Sequence, residues 1–247
     1  MSDTPKYTIT GKAKLNLLKE FLEGQDKKSK VLDVGGTKHD LEFIQSIGFG
    51  EVKVSNNSKM ELEGCGKKGL LFDITKPSKK RGPFDIVIFM DVLEHLIEPD
   101  EAIVNINNML KKGGFFVITT PNLASFFNRA FLLFGWSLPN YSAANIKTGN
   151  PIMKARISTS FRNSHPHKSV FAFRQLKELL ELYGFQIIKH RGYDYGSPEA
   201  SASGGNYNSA RKSLNKILPA SMKEGIFVVC KKQKTITIED LIKKYAG

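Results

Sequence analysis

Three histidines and a run of carboxylates are the residues best able to do chemistry in this chain. His95, His165 and His167 can each exchange a proton near neutral pH. His95 closes the run Asp91-x-x-Glu94-His95. On a helix, positions i, i+3 and i+4 share a face. Two carboxylates and an imidazole so placed could hold a divalent ion that polarises a hydroxyl. The same run also fits a metal-free site in which Glu94 makes a structural hydrogen bond. The expectation taken is that no metal is bound. His165 precedes Pro166 and reads as an exposed loop histidine. A second site signal is VLDVGGTKH, residues 31–39. Gly35 and Gly36 let backbone pass close to a ligand, and a helix N-terminus follows. A glycine pair after a strand is also how an ordinary tight turn is made.

The elements that must position these residues alternate along the first half of the chain. Helical spacing covers 12–23, 40–47 and 100–112, and strand-like runs cover 31–34, 52–55, 70–74, 85–90 and 115–120. Such alternation with short loops predicts a doubly wound parallel sheet covered by helices. Ligands of such sheets bind beyond the carboxyl ends of the strands, at the switch in strand order. That rule singles out 33–38, 55–57, 73–75, 91–95 and 119–122. The second half is less regular. An amphipathic helix is predicted at 173–185 and strands at 185–190 and 226–230, separated by a Ser/Gly/Asn-rich loop at 196–209. In SFFNRAFLLFGWSL, Phe126, Phe127, Ala130, Phe131 and Phe134 fall largely on one helical face, with Asn128 and Arg129 opposite. That face reads as a lid helix packed on the core, or else as an apolar substrate mouth or interfacial helix.

Composition sets limits. The chain has 247 residues, 40% of them hydrophobic and 25% charged, enough for one α/β domain with insertions and too apolar for a disordered chain. No apolar run is long enough to suggest a transmembrane helix, and the N-terminus does not read as a secretory signal. Two cysteines, Cys65 and Cys230, exclude a disulfide framework and point to a reducing cytosol. Residues 1–120 carry 18 Lys/Arg against 17 Asp/Glu, whereas 121–247 carry 19 against 7. The basic half is suited to an anionic phosphate, membrane surface or nucleic acid.

The order of the segments VLDVGG, LLFDIT, FDIVIFMDVLEHLIEP and LKKGGFFVITTPN resembles the class I S-adenosylmethionine-dependent methyltransferases. The subgroup it is most similar to holds the ubiquinone-biosynthesis O-methyltransferases and related bacterial and archaeal enzymes. PNLASFFNRAFLLFG and HKSVFAFRQLKELLELYGF extend the likeness, with His167 at the latter's histidine. The resemblance implies a seven-stranded, mostly parallel Rossmann-like sheet, its last strand antiparallel, with helical lid insertions. It implies a domain over 28–232, with lid 121–168 and variable loop 194–224, flanked by a helical extension 1–27 and a tail 233–247.

The resemblance further implies S-adenosylmethionine as cofactor and S-adenosylhomocysteine as product. Asp33, Gly35 and Gly36 would lie beside its methionine part and Asn56 at its ribose. Asp73 and Ile74 would border its adenine, and Asp91 and Val92 would face it. His95 and His167 are the catalytic candidates. The sequence departs from the family pattern in two places. Thr37 and His39 stand at glycine positions, and Asn56 stands where an acidic residue is usual. The function expected is O-methylation of a small or lipid- or glycan-linked, anionic acceptor. The setting expected is cytoplasmic, with peripheral contact to the inner face of an anionic membrane. An RNA methyltransferase using the basic half, and an inactive methyltransferase-fold binding protein, are the alternatives.

Overall fold

Strands β1 (Val31–Val34), β4 (Phe84–Met90) and β5 (Leu110–Pro121) send successive side chains to opposite faces, and both faces are buried. Leu32, Val34, Val87, Phe89, Phe116 and Ile118 join one core, while Val31, Ile86, Ile88 and Val117 join the other. The computed structural model describes residues 9–77, 82–138, 141, 146, 147, 149, 156, 157, 167–194, 213, 214 and 216–245.

With β2 (Val52–Asn56), β3 (Gly69–Leu71), β8 (Phe185–Tyr193) and β9 (Gly225–Lys232), these strands form one seven-stranded sheet. Its order is β3-β2-β1-β4-β5-β9-β8. The pairs from β3 to β5 are parallel, and β9 runs antiparallel to both β5 and β8. The expected architecture is therefore the observed one. Two dipeptide strands, β6 (Ile146–Lys147) and β7 (Arg156–Ile157), pair separately. The chain leaves β1 outward through β2 and β3, then returns to β4 on the other side of β1. The switch in strand order lies between β1 and β4.

One core holds α3 (Pro99–Met109) and α5 (Phe173–Leu182), and the other holds α1 (Ile9–Glu23) and α2 (Lys38–Ser46). Helix α3 starts with Pro99, Asp100 and Glu101, which suits a helix N-terminus. It ends at Met109, three residues before the periodicity predicts. The buried ammonium of Lys232 donates to the carbonyls of Asn107 (2.5 Å) and Leu110 (2.9 Å), and Leu110 is already extended. Strand β3 likewise stops at Leu71, short of the predicted 74. The Asp73 carboxylate accepts from Thr75 N (2.9 Å) and Oγ1 (2.7 Å) and bends the chain there.

Helix α4 (Phe126–Leu133) is capped by Ser125, whose hydroxyl accepts from Asn128 N at 3.3 Å. Helix α6 (Ile238–Tyr245) ends the described chain. Among the described residues, no helix is long and apolar enough to cross a membrane.

Candidate functional site

The carboxyl ends of β1 and β4 bring the two motifs together. Gly35 has φ +84°, and a side chain there would collide with Val92. A side chain at Gly36 would collide with the Asp33 carboxylate. Gly35 is thus required by the closeness of the turn to the β4 exit, and Gly36 by the Asp33 carboxylate and Val54 of β2. Thr37 and His39 have a local explanation. Thr37 is the N-cap of α2, and its backbone N–H and hydroxyl both donate to Asp40 Oδ2 at 2.8 Å. Where the family pattern carries further glycines, this chain begins a helix.

Asp33 is buried (5% exposed), and burial, reinforced by the charge of Asp40, raises its pKa well above the usual range. Asn56, at the end of β2, is already engaged. Its amide donates to Gly36 O at 3.2 Å, and its Oδ1 accepts from Ser58 N at 3.1 Å. One N–H and one lone pair of that amide are left over for a ligand. Asp73 is exposed. Ile74 is buried in the core, and its carbonyl accepts from Asn105 at 2.7 Å.

Asp91 is turned by its left-handed backbone, φ 54°. Its carboxylate forms an ion pair with Lys14 of α1. Thr119 Oγ1 (2.7 Å) and Tyr193 Oη (3.2 Å) donate to its other oxygen. Lys14 also acts on Asp33 and Glu94, lowering the pKa of each against the dominant effect of burial. One ammonium therefore serves three carboxylates. Thr119 lies in the 119–122 strand end that the sequence singles out, whereas sequence reasoning missed Lys14 and Tyr193, because no local pattern reports a contact 77 or 102 residues away.

Residues 93–95 form a 3-10 turn rather than the start of an α-helix. Asp91 consequently faces Lys14, and Glu94 points inward. Glu94 is 1% exposed, and its Oε2 has no hydrogen-bond partner. Burial, then the charge of Asp91, raise its pKa well above the usual range. The Glu94 carbonyl accepts from Lys168 N (2.6 Å) and Ser169 N (3.1 Å), and Ser169 Oγ donates to Leu96 O (2.7 Å). These bonds stitch the His95 turn to the segment before α5.

The stitching places the His95 and His167 rings edge to face, with centroids 4.9 Å apart. Glu94, His95 and His167 each offer a donor atom, all within 4.8 Å of one another. The set able to hold a metal is thus Glu94–His95–His167, not the Asp91–Glu94–His95 set that helical spacing suggests. His165 lies outside the described residues. Lys168, next to His167 in the chain, lines a groove of about 650 Å³ together with Ile97, Asp100, Leu123, Phe171 and Gln175. A pair of imidazoles and a buried carboxyl thus stand just beyond the exit of β4, the strand that borders the switch point of the sheet.

A family model described as "Methyltransferase domain" matches residues 9–190. Among curated proteins, none matches the chain in sequence. Solved structures do match. A protein of Pyrococcus horikoshii is 18% identical over 93% of this chain and 92% of that one, with TM-score 0.58. A Thermotoga maritima S-adenosylmethionine-dependent methyltransferase, titled a possible histamine N-methyltransferase, is 15% identical over 91% and 90%, with TM-score 0.57. An S-adenosylmethionine-dependent methyltransferase of Mesorhizobium loti is 14% identical over 87% and 96%, with TM-score 0.56. At these identities the likeness is one of fold.

Proposed function

The chain belongs to the methyltransferase-domain family, and from that premise we propose that it methylates a hydroxyl of a small or lipid- or glycan-linked, anionic acceptor. We take its methyl donor to be S-adenosylmethionine, on which the structurally similar Thermotoga maritima and Mesorhizobium loti methyltransferases depend. The observation that carries the finer reading is the His95–His167 pair at the turn that follows β4. A hydroxyl is a poor nucleophile until its proton is taken, and one imidazole of the pair is placed to take it. The second ring orients the first, and Lys168 at the groove wall offers a cation to an anionic acceptor. The ubiquinone-biosynthesis-type subgroup remains our working assignment, because its later histidine falls on His167.

The donor set suits the cofactor. Bound S-adenosylmethionine supplies an activated methyl on a sulfonium, so the protein has to orient, exclude water and move one proton. Asp33, Gly35 and Gly36 would hold its methionine end, and Asn56 its ribose through the unused half of the amide. Asp73 and Ile74 would border the adenine, and Asp91 and Val92 would face the sulfonium. We assign no metal. A divalent ion would have to displace the proton that burial keeps on Glu94. Both cysteines are buried free thiols, which agrees with a reducing cytosolic setting.

Calorimetric titration with S-adenosylmethionine and S-adenosylhomocysteine tests the reading, comparing the wild type with Asp33→Ala. Micromolar binding that the substitution abolishes is the expected result. Absence of binding to either ligand would overturn it.

A further inference from the structure

Helix α4 buries a different face from the one its sequence suggests. Asn128, on the face expected to be polar, is buried and donates to Asn122 O at 2.9 Å. Phe131 alone among the aromatic residues of the helix is buried. The helix therefore ends in an apolar tip: Leu132 is 56% exposed, Leu133 81% and Phe134 64%. Behind the tip Trp136, half-buried, stands between Phe131 and Phe134, with ring centroids 5.9 and 5.2 Å away. Three adjacent large side chains held in water by a firmly capped helix call for a partner surface.

The charge of the sequence segment that carries the tip says which surface. Residues 102–177 contain ten Lys/Arg and no Asp/Glu. Among them, Arg129, Lys168 and Arg174 are exposed. An apolar wedge with an aromatic collar, on a segment wholly free of negative charge, is complementary to anionic headgroups above an acyl layer. A protein partner would be expected to meet some acidic residues here, and a nucleic acid would find no use for Leu132 and Leu133.

We propose that Leu132, Leu133 and Phe134 insert into the interfacial layer of an anionic lipid bilayer, with Trp136 at headgroup depth. This holds whichever acceptor is methylated and is tested without turnover. Trp136 is the chain's single tryptophan, so its emission reports on the tip alone. Vesicles of phosphatidylcholine with phosphatidylglycerol should shift that emission to the blue and co-sediment the protein at low salt. Pure phosphatidylcholine should do so weakly, and about 1 M salt, where the screening length is about 3 Å, should weaken the anionic case. The double variant Leu133→Ser with Phe134→Ser should bind at least about tenfold more weakly with an unchanged melting temperature. Should the double variant melt lower, the single variant Leu133→Ser repeats the comparison. Absence of a blue shift with anionic vesicles would overturn the proposal. So would undiminished sedimentation of the variants, or a wild-type dimer that the substitutions dissociate and vesicles do not affect.

Discussion

Lys14 and Asp91 form an ion pair between the first helix and the exit of the central strand β4. The pair is partly buried, and Thr119 and Tyr193 complete the coordination of the carboxylate. Removing the ammonium strips Asp91 of its ion-pair partner and takes from Asp33 and Glu94 a cation that favours their charged forms. Lys14→Met is expected to destabilise the fold by about 1–3 kcal/mol. The double variant with Asp91→Asn should cost less than the sum of the single changes, a coupling of about 1 kcal/mol or more in urea denaturation. Strict additivity would show that the pair carries no energy.

His95→Ala and His167→Ala should each lower kcat by about 10² to 10⁴, the range for a lost general base. S-adenosylhomocysteine affinity should stay within about threefold, since neither ring is assigned to the cofactor. The same assay in EDTA should leave wild-type turnover within about twofold, because the proposed chemistry uses an imidazole lone pair and not a metal. A loss of turnover in EDTA, restored by a divalent ion, would assign Glu94, His95 and His167 as ligands instead.

Gly36→Ala should be far more damaging than Thr37→Gly. An added methyl at Gly36 collides with the Asp33 carboxylate and lies 2.9 Å from Val54, an overpacking that costs about 1–3 kcal/mol. It also displaces the residue assigned to the methionine end of the cofactor. Thr37→Gly loses a cap hydroxyl and should cost a few tenths of a kcal/mol. Calorimetric affinity and melting temperature together check the ranking.

Glu94→Gln should stabilise the protein above neutral pH and do less in acid. The folded-state pKa of Glu94 is raised, so the folded chain holds a proton that the unfolded chain releases above about 4.5. Stability is therefore greatest below that pH and falls as pH rises towards the folded value. Glutamine carries no such proton and removes this loss, which amounts to about 1.4 kcal/mol for each tenfold difference in proton affinity between the folded and unfolded chain. Melting curves at pH 4 and pH 8 should show the variant's advantage growing with pH. An advantage that is equal at both would refute the burial argument.

Much of the sheet is legible in the sequence, because β1, β4 and β5 are short apolar runs punctuated by glycine and buried on both faces. The glycine turn and His95 are legible for the same reason: they lie immediately after those runs. Three things are not. The ends of α3 and β3 are set by Lys232 and by the Asp73 turn, contacts that periodicity does not encode. Asp91 is drawn away from Glu94 by a left-handed backbone and a lysine 77 residues distant. The buried side of α4 is shifted because Asn128 finds a buried carbonyl at Asn122, so a satisfied amide joins Phe131 where the aromatic pattern alone predicts only apolar residues.

The position of β9 has a consequence for the order in which this protein can assemble. Strand β8 touches the sheet only through β9, which is made later and lies between β5 and β8. Tyr193 ends β8, so it cannot be delivered to Asp91 through the sheet until residues 225–232 have left the ribosome. A growing chain can pair β1 to β5, yet the Asp91 carboxylate stays incompletely partnered until β9 has been made. Synthesis stalled before β9 would yield a sheet ending in an open β5 edge, an adhesive surface suited to chaperone capture.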